Sequence, residues 1–297
     1  MAGWIPACVT LPPLTELKET HMPISTLSTI AIKRRRPALP LSVQVALLWL
    51  LAMIACAVFV NVLRPYPVTQ MDLSIRLAPP GTPGHWLGTD ELGRDVLSRL
   101  IQSIRSSLVI AFGATILSAF VGTALGFMAA KFRGVVEHIV VMLADFQAAL
   151  PFLIMSLAVL AFFGSSMLLL VCLMGFYGWE RYARITRGLA ISASSQGYAA
   201  AVVQLGATPS RVYLRHILPN VASTLIVSMT LTFPEIILME SSLSFLGLGV
   251  QPPDTSLGNM VGFGREYLTT APWIMMGGLV ARVRVWLSFP LPVVLVK

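Results

Sequence analysis

Long apolar runs separated by short segments rich in proline, glycine and basic residues set the pattern of this chain. The first run, 41–63, holds roughly 20 apolar residues, enough to cross about 30 Å of hydrocarbon. Further runs lie at 107–130, 137–163, 167–180 and 220–240. A last one opens at 271–280, but Arg282 and Arg284 interrupt it, and Pro290 and Pro292 follow. An arginine at the centre of a membrane helix costs about 2.5–3.5 kcal/mol on insertion scales. The expected fold is an all-α integral membrane protein: a polytopic helical bundle of five transmembrane helices plus an incomplete sixth.

Charge orients these spans. Lys33 to Arg36 precede the first run, which places the N-terminus on the cytoplasmic side. Residues 1–40 hold proline, serine and threonine without sustained periodicity and read as a flexible cytoplasmic tail. The following run is too long for a cleavable signal peptide and lacks a small-residue cleavage pattern. The segment from Arg64 to Ser106 then falls outside. Its prolines and glycines between 79 and 84 exclude a regular helix, after which Thr89 or Asp90 can cap a helix beginning near Glu91. Asp95 and Arg99, at i and i+4, would pair on that helix.

In the second run Gly122 and Gly126 form a G-x-x-x-G pair that lets another helix approach closely. Residues 181–219 read as a cytoplasmic loop: Arg181, Arg184, Arg187, Arg211 and Arg215 fall there, with neither Asp nor Glu. Two helix-forming stretches, 198–205 and 210–218, flank a turn at Gly206, with Pro209 near the start of the second and Pro219 near its end. Such a helical knob is a natural docking surface.

Composition agrees. The chain has 297 residues, of which 56% are hydrophobic and 11% charged, where a soluble domain carries about a quarter charged. The formal net charge of +8 sits at the ends of apolar runs, so it orients spans and does not form a nucleic-acid surface. Cys8, Cys56 and Cys172 are too scattered for a disulfide framework or a metal site, and His216 has no second ligand at metal spacing. The chain has no G-x-x-x-x-G-K-[ST] phosphate loop, H-E-x-x-H, C-x-x-C or G-x-S-x-G motif. If it pumps, a partner must supply the energy. Asp145, Glu235 and Glu240 lie inside apolar runs and are pathway candidates; helix pairing is the structural alternative, and for Glu240 a position at the membrane interface.

Three motifs carry a resemblance. Tyr198 to Gly206, followed by His216-Ile-Leu-Pro219, resembles the cytoplasmic EAA loop of ABC importer permeases of the dipeptide, oligopeptide and nickel group. Gly88 to Arg99 resembles the GTDxLGRDxxSR signature ahead of the second span, including Gly88, Thr89, Asp90, Gly93, Arg94 and Asp95. Ser242 to Met260 is similar to the SLSFLGLGxQPPxPxWGxM segment outside the fifth span, with Asp254 and Leu257 departing from its commonest letters.

The resemblance implies the second permease of an importer pair in the bacterial inner membrane. Its partners would be another permease subunit in a heterodimer, two cytoplasmic ATPase subunits, an extracytoplasmic solute-binding protein and membrane lipid. It implies no cofactor on this chain, ATP being used by the partners, and no catalytic residue. The coupling loop would be carried by Tyr198, Ala200, Ala201, Gly206, Arg211, Arg215, His216 and Pro219. Ala200 stands where the family has its glutamate, so any salt bridge of that acid is absent. The 88–95 signature would pack an external helix on the membrane domain. From about residue 281 the resemblance is expected to end, as after a reading-frame change or truncation. Two other readings stand beside this one: a membrane-embedded enzyme with Asp145 and Glu235 as acid and base, and a structural subunit unable to transport.

Overall fold

The computed structural model describes residues 41–197, 202 and 204–288. Among them every regular element is a helix. In order they are α1 (Leu41–Val58), α2 (Val60–Leu63), α3 (Val96–Phe132), α4 (Gly134–Ala149), α5 (Phe152–Phe163), α6 (Met167–Tyr177), α7 (Trp179–Ser194), α8 (Pro209–Phe245), α9 (Leu257–Gly264) and α10 (Trp273–Ser288). Two helices, α3 and α8, each of 37 residues, are long and apolar enough to cross a bilayer, and the bent pair α4–α5 makes a third if it is one span.

Helix α3 is the axis of the bundle, packing against α1, α4, α6, α7, α8, α9 and α10. Its core face carries Ile104, Leu108, Ile110 and Ala114, which meet Leu170, Met174 and Phe233 of other helices. Small and hydroxylated residues on the same helix let neighbours come close. A Cβ on Gly122 would stand 2.5 Å from Tyr182 Cβ and closer still to the Trp179 carbonyl, and one on Gly126 2.7 Å from the Ala183 carbonyl. The helix admitted by the G-x-x-x-G pair is therefore α7. Ser118 Oγ donates to the Gly175 carbonyl at 2.7 Å, Ser107 Oγ accepts from the Leu257 amide at 3.1 Å, and Ser103 pairs with Thr255 at 3.0 Å. Where hydrocarbon replaces water outside the bundle, such contacts and close van der Waals packing hold helices together.

Several boundaries differ from the sequence expectation, each for a local reason. Helix α3 begins at Val96, not near Glu91, because Asp95 is its N-cap and accepts from the Ser98 amide at 2.8 Å. The run 137–163 is no single rod: it bends by 90° between α4 and α5, where Pro151 cannot continue the helix. The run 167–180 does not give way to a loop at Arg181. After a joint at Gly178 it continues as α7, so Arg181, Arg184 and Arg187 are helical. Pro219 does not close a helix either; it lies inside α8, directly after the π-wound turn Val212–Ile217. Backbone helicity in α10 passes through Arg282 and Arg284 to Ser288.

Candidate functional site

Outside the second span the 88–95 motif folds into a compact knot. Gly88 and Gly93 have φ of +76° and +70°, and a Cβ on Gly93 would overlap the Asp72 carbonyl, so both positions demand glycine. Thr89 Oγ1 accepts from the Ala78 amide at 2.8 Å and donates to the Ile75 carbonyl. Asp90 is fully enclosed and every acceptor position is used: Oδ1 accepts from the amides of Leu92 and Arg94 at 2.8 and 2.9 Å, and Oδ2 from Arg94 Nε at 2.7 Å and from Arg99 Nη1. Arg94 also donates to Glu91 Oε1 at 2.8 Å. The expected Asp95–Arg99 pair is replaced by Asp90–Arg99, because Asp95 is turned to the helix end and to His85 Nδ1 at 3.0 Å. The Trp273 indole N–H donates to the Thr89 carbonyl at 3.2 Å, which ties α10 to the knot.

Nearby, Asp72 caps the short turn Leu73–Ile75. Hydrogen bonds from the Ser74 hydroxyl and amide hold its exposed carboxyl below the usual range.

Inside the bundle, α7 carries arginines at intervals of three, and each meets an acid from another helix. Arg181 grips Glu235 of α8 with two hydrogen bonds of 2.6 and 3.1 Å. Arg184 reaches Asp145 Oδ1 and the Ala144 carbonyl of α4, both at 3.2 Å. Arg187 donates through Nε to Glu137 of α4 at 2.7 Å. Sequence reasoning missed Glu137 as a partner and took the arginines for a loop. An i, i+3, i+6 spacing on a helical stretch was the available signal.

The pairs are open on one side: Arg181 and Glu235 are 46% and 39% exposed, and Asp145 is 64% exposed. Yet Arg181 stands level with the glycines of α3, in the middle of its apolar stretch, since the neighbouring Trp179, Tyr182 and Ala183 are the residues against Gly122. An ion pair at that depth cannot economically face hydrocarbon, so this flank of α7 faces water or another protein chain. Asp145 and Glu235 are each paired with a separate arginine, which does not favour the acid–base pair of the enzyme reading. Glu240 is not at an open interface: it is 1% exposed in α8 and accepts from Ser244 Oγ at 2.7 Å.

At the far end of α7, Tyr198, Ala200 and Ala201 fall outside the described residues. Gly206 has φ of +79° and makes the turn, with the Ala207 amide donating to the Val202 carbonyl at 3.3 Å. Pro209 starts α8, whose second turn, Val212–Ile217, is wound as a π-helix, a form that often accompanies function. Arg211 and Arg215 are exposed there, His216 is partly exposed, Pro219 is exposed, and Val212 and Ile217 anchor the turn in a core with Tyr182, Ala190 and Val221. Among the described residues no group of three or more His, Cys, Asp or Glu side chains could hold a metal ion.

Comparison with known proteins gives concordant matches. The family model for the binding-protein-dependent transport system inner membrane component matches residues 122–287. A di/tripeptide transport system permease protein DppC of Pseudomonas aeruginosa is 35% identical over 77% of this chain and 77% of its own length. An oligopeptide transport system permease protein OppC of Bacillus subtilis is 34% identical over 77% and 75%, and a glutathione transport system permease protein GsiD of Pectobacterium atrosepticum 32% identical over 76% and 75%.

Proposed function

Because the chain belongs to the family of binding-protein-dependent transport system inner membrane components, we propose that it moves di- and oligopeptides across the bacterial inner membrane as the second permease of an importer pair. It is a transmembrane permease subunit and not an enzyme. It works with another permease, two ATPases that consume ATP on the cytoplasmic face, and a binding protein that delivers substrate outside. The N-terminus is cytoplasmic, and five spans and a sixth are made by α1 with α2, α3, α4 with α5, α6 with α7, α8 and α10.

The observation that carries this reading is the continuity of α8: one helix runs from the turn after Gly206 to Glu235, which is clasped by Arg181 of α7. Closure of the ATPases pushes the Gly206 knob, and α8 and α7 carry the displacement to the polar flank between them, opening it alternately to either side. Asp145 and Glu235 line that route. Arg211, Arg215 and His216 present the docking surface, together with the 198–201 stretch.

Co-purification in detergent with the ATPase subunits tests this. Wild type is expected to retain them, and Gly206→Arg to lose them by about tenfold or more while still inserting in the membrane. A side chain at φ +79° is strained, although a Cβ there meets nothing within 4 Å, so the damage stays local to the turn. Retention of both ATPases by the variant would count against the Gly206 knob as the coupling surface. A folded wild type that holds no ATPase would count against the importer.

A further inference from the structure

The same site has a feature that bears on what it recognises. At the joint between α6 and α7, a cavity of about 20 Å³ is walled by Tyr177, Glu180, Arg181, Thr232 and Glu235. A void of that size admits one water-sized group and no more. Two carboxylates and one guanidinium face it, and the guanidinium of Arg181 is gripped at both ends by Glu235. Arg184, the next cation along α7, is committed to Asp145. Glu180 makes no ion pair among the described residues; it sits in the first turn of α7, whose backbone amides, with the nearby charges of Arg181 and Arg184, favour its carboxylate, yet its Oε2 is sealed from solvent without a hydrogen-bond partner. A buried carboxylate oxygen without a donor is costly, and a cation of the right size would relieve the cost.

We propose that Glu180 is a specificity-determining residue: this cavity receives the free α-ammonium group of a peptide in transit. The proposal rests on the reading of the chain as a peptide permease. An ammonium group is about the size of the void, carries a positive charge and brings donors for the unpartnered carboxylate oxygen. Glu180 Oε2 accepts one. Glu235, whose pair with Arg181 is open to one side, accepts another. Thr232, whose Oγ1 donates to the Ser228 carbonyl at 3.0 Å, adds a polar wall to the same void. Every unmodified peptide carries this group whatever its sequence, so a site for it suits a carrier of varied peptides. It also offsets the loss of hydration that an ammonium suffers on entering the bundle.

The experiment is uptake into proteoliposomes by the full complex with its binding protein, comparing alanyl-alanine with N-acetyl-alanyl-alanine. The ratio of the two rates is compared between wild type, Glu180→Gln and Glu180→Asp. Preference contributed by the binding protein is common to all three and cancels in the comparison. Glu180→Gln is expected to lower the ratio about tenfold or more, the loss of one charge-assisted hydrogen bond, and Glu180→Asp, which keeps the charge but retracts it, to lower it by a smaller factor. A merely structural Glu180 would slow both substrates alike, and an unchanged ratio in either variant overturns the proposal. If Glu180→Gln does not assemble, Glu180→Asp decides alone. No peptide uptake by wild type would instead overturn the importer reading, and this site with it.

Discussion

Asp90→Asn is expected to destabilise the protein by about 3–5 kcal/mol, the usual cost of removing one partner from a buried ion pair. The substitution changes almost no volume. It leaves Arg94 and Arg99, both buried in the knot, facing a neutral amide whose NH₂ group would point at one of them. The Asp90 carboxylate also accepts from the backbone of Leu92 and Arg94, so the turn that aims Asp95 at the end of α3 depends on it. The knot is further bound to α10 through Trp273 and Thr89, so damage will reach the last helix. Thermal unfolding in detergent, followed by the monodisperse fraction after heating, measures the effect. Adding Arg99→Met to Asp90→Asn should recover part of the loss, since one of the two stranded charges is then gone. A single variant within about 1 kcal/mol of wild type would show that water enters the knot and that Asp90 is not the charge that holds it.

Gly122→Val is expected to have a comparable effect by steric means. Overpacking a core costs about 1–3 kcal/mol when side chains can give way, and more when they cannot. Here the new Cβ meets the Trp179 carbonyl and Tyr182 Cβ, which belong to the backbone and root of α7 and cannot rotate aside. Helix α7 must move away from α3, and that would also pull Arg181, Arg184 and Arg187 from Glu235, Asp145 and Glu137. Loss of assembly with the partner subunits, together with a fall in unfolding temperature, is the expected outcome. Gly188→Ala on α7 is the control: a Cβ there meets nothing within 4 Å, and the exchange should be neutral or raise stability by up to about 1 kcal/mol through helix propensity. Equal tolerance of both substitutions would mean that the close contact of α3 with α7 is absent in the membrane.

The membrane class, the family and the main apolar runs were all legible along the chain, because hydrophobic length and the placement of basic residues are local quantities. The G-x-x-x-G pair announced a close helix contact for the same reason: two missing side chains one turn apart leave a groove whatever fills it. The identity of the helix in that groove was not legible, nor was the continuation of helix beyond Arg181. A run of arginines without acids signals cytoplasm when its partners are assumed to be water and lipid. In the fold those arginines have partners at Glu137, Asp145 and Glu235, which lie 39 to 54 residues upstream or downstream.

The 88–95 motif shows the same division within a few residues. Its glycines and acids marked a turn and a helix start, yet Asp90 and Asp95 exchanged the expected roles. Capping preference alone does not say which acid is drawn to buried guanidinium groups and which is left at the helix end. By itself, then, the chain determined that it crosses a membrane as a bundle of helices and to which family it belongs, since both follow from hydrophobic length and contiguous motifs. Only the tertiary structure decided which charges meet, where a helix bends or runs on, and where Glu180 holds a carboxylate oxygen without a donor, because electrostatic pairing and steric contact depend on distance in space and not along the chain.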